Sequence, residues 1–279
     1  MKPEITKQED GTLVLKITIP HADVEKARVK VQAELSKHVT APGFRKGQVP
    51  KKIADEKLPK HVIQEETLKT IVPDAYNAAI KEAKLQPIIS PKLHIEVFEE
   101  GTDLVFEAVT ALEPEVKLGD YKKTVKDLTA KSKIVTSTKD EKSTPEKPTV
   151  DQVLQAALTS TDIVVPKILV EEETNRLLTQ LVDELQKLGM TLDQYLSTRS
   201  QTAEQMREGY EAKAKRDLQL EFLLKAIADS EKIMVEENDI KEALSRFQDE
   251  KNREDIAKNP YFLIALIRQQ KTIDHLMSL

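Results

Sequence analysis

At 279 residues the chain is long enough for about two domains of ordinary size, each able to bury its own core. Charged residues make up 33% and aromatics 4%, with no Trp, a balance that suits solvated helices and an elongated or loosely packed body better than a dense aromatic core. Zero cysteines exclude disulfides, thiolate catalysis and Cys-ligated zinc. No run approaches the roughly 18 apolar residues of a membrane span and the first eleven hold no signal-peptide core, so a cytoplasmic protein without membrane contact is expected. The formal net charge of −5 argues against a general nucleic-acid binder, yet residues 26–60 carry ten Lys or Arg against three acids, a local net of +7.

In chain order, Leu13, Leu15, Ile17 and Ile19 alternate with more polar residues, the period of a strand with one buried face, and Pro20 ends it. A helix over 22–39 follows, with Val24, Ala27, Val31 and Leu35 on one side and Lys26, Arg28, Lys30 and Lys37 on the other. From Ala41 to Pro50, two glycines and two prolines predict an exposed loop. A longer helix is expected from His61 to Lys84, and Pro73 within it predicts a kink or a break. Lys92–Phe98 and Asp103–Leu112 read as strands joined through Glu99-Glu100-Gly101-Thr102 in a hairpin. Together these predict an α+β head of antiparallel strands and helices over 1–115.

Residues 116–150 read as a polar linker. From Tyr121 to Val150 there are nine Ser or Thr, eight Lys and two prolines, which leaves little to bury. Its portion from Lys131 to Thr138 retains the options of a short strand or of packing against the body. Beyond 150 every pattern is helical: Val150–Leu158, Pro166–Leu188 with Gly189 as its stop, a helix to about Lys232 opened by a capping box at Thr202-Ala203-Glu204-Gln205, Glu236–Glu250, and a last helix capped at Asn259-Pro260. The fold class expected is multidomain and mainly α, an α+β head followed by an elongated all-helical domain over 151–279. There is no repeat of fixed period and no sustained heptad.

Catalytic chemistry finds no foothold. The histidines at 21, 38, 61, 94 and 275 are scattered without ligand spacing, so no metal or cofactor is implied. There is no G-x-S-x-G elbow and no phosphate-binding glycine loop, and abundant carboxylates on solvated helices single out no acid–base pair. A binding protein is expected, not an enzyme.

The tip Gly43-Phe44-Arg45-Lys46-Gly47 sets one large apolar residue beside two cations. As a docking element, Phe44 would fill a pocket, contributing about 1.5–3 kcal/mol, while Arg45 and Lys46 meet carboxylates or phosphates. The alternative is a helix connector whose Phe44 folds back into the head and whose charges are solvated. In the body, Met206, Tyr210, Tyr261, Phe262, Ile264 and Ile267 are candidate contacts for flexible apolar chains, and the alternative for each is ordinary core.

The run from Gly43 through Val49 to Pro50 resembles the GFRxGxxP signature of the bacterial trigger factor family of ribosome-associated chaperones. The likeness extends to Ile80-Lys81-Glu82 and Glu113-Pro114-Glu115-Val116, and resumes more weakly over Val165–Glu171. The resemblance implies an ATP-independent chaperone docked near the polypeptide exit tunnel through residues 43–50. In it, Gly43, Phe44, Arg45, Lys46 and Gly47 would meet the tunnel-rim protein and nearby ribosomal RNA, and the helical domain would shield nascent or unfolded chains. Weak self-association is compatible with it. The family usually carries an FKBP-type prolyl isomerase domain between head and body. Here about 30 polar residues stand in that place, with Tyr121 as the one aromatic, against the roughly hundred residues such a domain needs, so isomerase activity is expected to be absent. Two alternatives stand beside this reading: a ribosome-associated assembly factor holding folded ribosomal proteins, and an active prolyl isomerase.

Overall fold

A computed structural model describes residues 3–39, 53, 57–99, 101–135, 148–245 and 260–279. The chain divides into two compact units, Met1–Glu113 and Pro114–Leu279.

The first unit is a four-stranded antiparallel sheet in the order β1-β2-β4-β3, formed by β1 (Glu4–Lys7), β2 (Thr12–Ile19), β3 (Lys92–Val97) and β4 (Leu104–Ala111). Helices α1 (His21–Ser36) and α2 (Lys60–Ala83) belong to the same unit. Alternation in β2 and β4 decides which face is dry. Leu13, Leu15, Ile17 and Ile19 stand opposite Thr110, Ala108, Phe106 and Leu104, and all eight are buried. Val24 of α1 and Val72, Ala75 and Ala79 of α2 close over them. Each buried large side chain contributes about 1.5–3 kcal/mol, so this face holds the unit together.

Local chemistry sets the boundaries. Gly11 takes φ 86° in the β1–β2 turn, where Thr12 N–H donates to Asp10 Oδ1 at 3.0 Å. Pro20 precedes α1, and the exposed N–H of His21 donates to Asp103 Oδ1 at 2.8 Å, so the β3–β4 hairpin caps the helix. Of the kink or break expected at Pro73, the break does not occur, and α2 runs through it. Pro73 faces solvent, where water can satisfy the carbonyl one turn earlier that loses its N–H partner. Strand β1, absent from the sequence reading, is an edge strand exposed throughout.

The second unit contains α3 (Tyr121–Val135), α4 (Val150–Thr159), α5 (Lys167–Lys187), α6 (Leu192–Arg199), α7 (Ala203–Ser230), α8 (Glu237–Ser245) and α9 (Tyr261–Met277). A short antiparallel pair, β5 (Val116–Leu118) with β6 (Thr161–Ile163), accompanies these helices. Part of the segment read as a linker is therefore structured. It supplies β5 and α3, and Tyr121 and Val125 are buried with Leu128 half-buried on the same side. Lys131 to Val135 continue α3 and are not a strand. Gly119 is required between β5 and α3, because a Cβ there would lie 2.0 Å from the Ser160 carbonyl oxygen.

Three helices of this unit open on the same device. Thr149, Thr191 and Thr202 each accept from the N–H of a glutamine three residues on, at 3.3, 3.3 and 3.2 Å, and each glutamine returns a bond to the threonine N–H. Gly189, at φ 68°, stops α5. The C-terminal end of α7 is a junction: Glu231 accepts from Tyr121 Oη at 2.8 Å and Lys122 Nζ at 2.7 Å, and His275 Nε2 lies 3.7 Å away. The Lys122 ammonium, then the Tyr121 hydroxyl, hold the Glu231 carboxyl below the usual carboxylate range. Burial, and then the bond to Glu231, push the Tyr121 phenol up. Nearby, Arg268 donates to Asp229 at 2.6 Å and to the Ile233 carbonyl at 2.9 Å, and Lys271 pairs with Asp239, fastening α9 to α7 and α8.

Candidate functional site

The proposed docking tip, Gly43, Phe44, Arg45, Lys46 and Gly47, lies outside the described residues, as does the rest of 40–52. Its flank is described, and it redistributes the charge read from the sequence. Lys26 pairs with Asp23 at 2.9 Å and Arg28 with Glu25 at 3.0 Å, so two of the ten cations meet acids that lie just before the window. In the sequence, the remaining excess lies mainly in Arg45, Lys46, Lys51, Lys52, Lys57 and Lys60, a stretch whose acids are Asp55 and Glu56.

In the helical unit the six candidate contact residues separate. Met206 is 9% exposed and packs with Leu181 and Leu185, with Tyr210 half-buried against them, so Met206 is core between α5 and α7 and not an open contact. On α9 the helical period decides. Leu263, Thr272 and Leu276 turn inward, Ile264 and Ile267 are half-buried, and Tyr261 and Phe262 are each 80% exposed. Leu266, one turn beyond Phe262 on the same side, is 52% exposed and extends this apolar face. All-round apolarity in the sequence could not say which side faces water.

Further exposed apolar residues escaped the sequence reading. Leu188 and Met190 flank the Gly189 stop at the α5–α6 turn, and Met234 follows α7; Leu188 and Met234 are each 76% exposed. A signal was present, since apolar side chains at a helix stop fall outside the inward-facing period. Unbranched methionine and flexible leucine at such points make contacts that adapt to many shapes, and nothing in their chemistry can carry out a reaction. Among the described residues no cluster of three His, Asp or Glu could hold a metal ion, and no helix is long and apolar enough to cross a membrane.

Comparison with known proteins adds a second line. A family model described as bacterial trigger factor protein matches residues 1–144, and one described as its C-terminus matches residues 124–278. The two matches overlap, so no stretch between them could hold a further domain of about a hundred residues. Curated trigger factors from Staphylococcus epidermidis and Macrococcus caseolyticus are 37% and 40% identical over 116 residues. These matches cover 42% of this chain and 27% of each relative, so the chain matches about a quarter of their length. A solved structure from work on promiscuous substrate recognition in folding and assembly by the trigger factor chaperone aligns over 100% of this chain and 99% of its own, with TM-score 0.66 and 14% identity. That likeness concerns the fold.

Proposed function

This chain belongs to the bacterial trigger factor family, and from that premise we propose that it is an ATP-independent chaperone. It holds unfolded or nascent chains on its helical unit and docks on the ribosome near the exit tunnel through residues 43–50. The observation that carries the holding role is the set of exposed apolar side chains on that unit, Leu188, Met234, Tyr261, Phe262 and Leu266. Isolated exposed apolar residues are ordinary, but aromatics at 80% exposure on consecutive positions are an unfilled contact. Docking rests on the Gly43–Pro50 signature and on the cations concentrated around it, which suit a partner rich in phosphates. In this reading the chain is not a prolyl isomerase, because α3 occupies 121–135, where that domain would begin.

Suppression of aggregation of a chemically denatured protein tests the holding role. The unaltered chain suppresses it, and replacing Tyr261, Phe262 and Leu266 with Ser reduces suppression severalfold. Full suppression by that variant would refute the assignment. Replacing Phe44, Arg45 and Lys46 with Ala abolishes co-sedimentation with ribosomes and leaves aggregation suppression nearly intact, whereas unchanged sedimentation refutes docking through this loop. Acceleration of a proline-limited refolding reaction would overturn the non-enzyme reading.

A further inference from the structure

A notch of about 220 Å³ opens where α6 meets the first turns of α7, lined by Tyr195, Arg199, Met206, Gly209, Tyr210 and Lys213. The Arg199 guanidinium lies 4.9 Å from the centre of the Tyr195 ring, one helical turn earlier, which fixes its position without a carboxylate. Elsewhere in this unit Arg176, Arg216 and Arg268 each hold a carboxylate at 2.6 Å. Among the described residues Arg199 and Lys213 form no ion pair. Burial foremost pushes the Tyr210 phenol up, so Tyr210 adds no negative charge to the notch.

Gly209 supplies an independent observation. Glycine inside a helix costs about 1 kcal/mol relative to alanine, and Gly209 lies well within the 28-residue α7. A Cβ at Gly209 would meet nothing within 4 Å, so packing within the chain gives no reason to omit a side chain. Omitting it keeps the notch open.

We propose that this notch binds a carboxylate of an acidic peptide segment. Arg199 and Lys213 take the charge, while the tyrosine rings take the apolar residue beside it. The inference rests on the chaperone reading and deepens it, adding acidic–apolar segments to what the helical unit holds. A long polyanion fits poorly, because a chain of net charge −5 repels it beyond the notch. The same repulsion makes the test stringent, since non-specific electrostatics favours the uncharged ligand.

Calorimetric titration of the full chain uses an N-acetylated, C-amidated peptide alternating glutamate with leucine, and its glutamine–leucine counterpart, at low and high salt. The glutamate peptide binds about threefold to tenfold tighter at low salt, as expected for two solvent-accessible pairs, and the preference fades at high salt. Arg199→Gln with Lys213→Gln abolishes the preference. Gly209→Leu raises the melting temperature, because it removes a helix-interior glycine, yet weakens binding of the glutamate peptide, which separates loss of the site from loss of the fold. Equal binding of the two peptides, or a preference that survives in the double variant, overturns the proposal. The two readings fail separately. Absence of a glutamate preference in the unaltered chain at low salt refutes the notch, whereas absence of aggregation suppression by the unaltered chain refutes the holder.

Discussion

Removing one oxygen at Tyr121 tests whether the segment between the two sequence signatures is an integral part of the helical unit. Tyr121 is 5% exposed, and its hydroxyl donates to Glu231 at 2.8 Å. Tyr121→Phe keeps the ring and deletes only this donor. A hydrogen bond to a charged group contributes about 1.5–3 kcal/mol when well buried. The Glu231 side chain is 21% exposed and also holds Lys122, so the contribution falls below that range, to about 1 kcal/mol. Because the two units need not unfold together, the readout is amide hydrogen exchange of α3, where 1 kcal/mol corresponds to about fivefold faster exchange. Glu231→Gln alone loosens α3 comparably, and the double variant falls short of the sum by about 1 kcal/mol. The Glu231 carboxyl is held below its unfolded value, so its contribution is complete above the unfolded pKa of about 4.3 and is lost as pH falls below that, which predicts coupling at pH 7 that shrinks at pH 3. Additive effects at pH 7, or α3 amides already unprotected in the unaltered chain, would refute the assignment of this junction.

Other substitutions probe the framework. Gly119→Ala places a methyl group against the Ser160 carbonyl and costs about 1–3 kcal/mol, visible as earlier thermal melting of the helical unit by circular dichroism. Phe106→Ala empties the centre of the sheet's dry face and costs about 3–5 kcal/mol, enough to leave the first unit largely unfolded while α7 amides stay protected. Thr202→Ala removes one half of a capping box and costs about 1 kcal/mol, read as fraying of the first turn of α7 in hydrogen exchange.

The sheet face was legible because its alternation is strict: four apolar residues at every second position of β2 leave no other arrangement. Strand β1 was not, since its residues are all exposed and an edge strand needs no periodic burial to pair through its backbone. For α3, the helical spacing Tyr121, Val125 and Leu128 was present, but Ser, Thr and Lys around it suggested a chain with nothing to bury. What the composition hid is that few anchors suffice when a carboxylate on another helix secures the first turn. The capping boxes at Thr149 and Thr191 carried the same four-residue signature as the one at Thr202, so α6 was legible and only the surrounding polarity masked it. At the site, the sequence identified apolar helices but not their exposed faces, because exposure depends on the neighbours that the period alone does not name. Met206 stands among charged residues and is core, whereas Phe262 opens an apolar run and is exposed.

The open residues also set how tightly the helical unit can hold anything. Burying Phe262 completely contributes about 1.5–3 kcal/mol, while a millimolar complex already requires about 4 kcal/mol net of the freedom lost on association. One exposed face therefore cannot retain a chain. Several can, if a flexible ligand engages them in succession, because each later contact forms at the high effective concentration set by the chain that links them. Leu188 with Met190, Met234, and the Tyr261–Leu266 face are three such points on one unit, each too small to aggregate with copies of itself and each weak enough to release. A holder assembled this way needs no nucleotide to let go, since dissociation proceeds contact by contact as the client buries its own apolar residues. The cost of the arrangement is poor discrimination, and a local charged notch such as that of Arg199 and Lys213 is the kind of feature that restores some preference for one chemistry of segment over another.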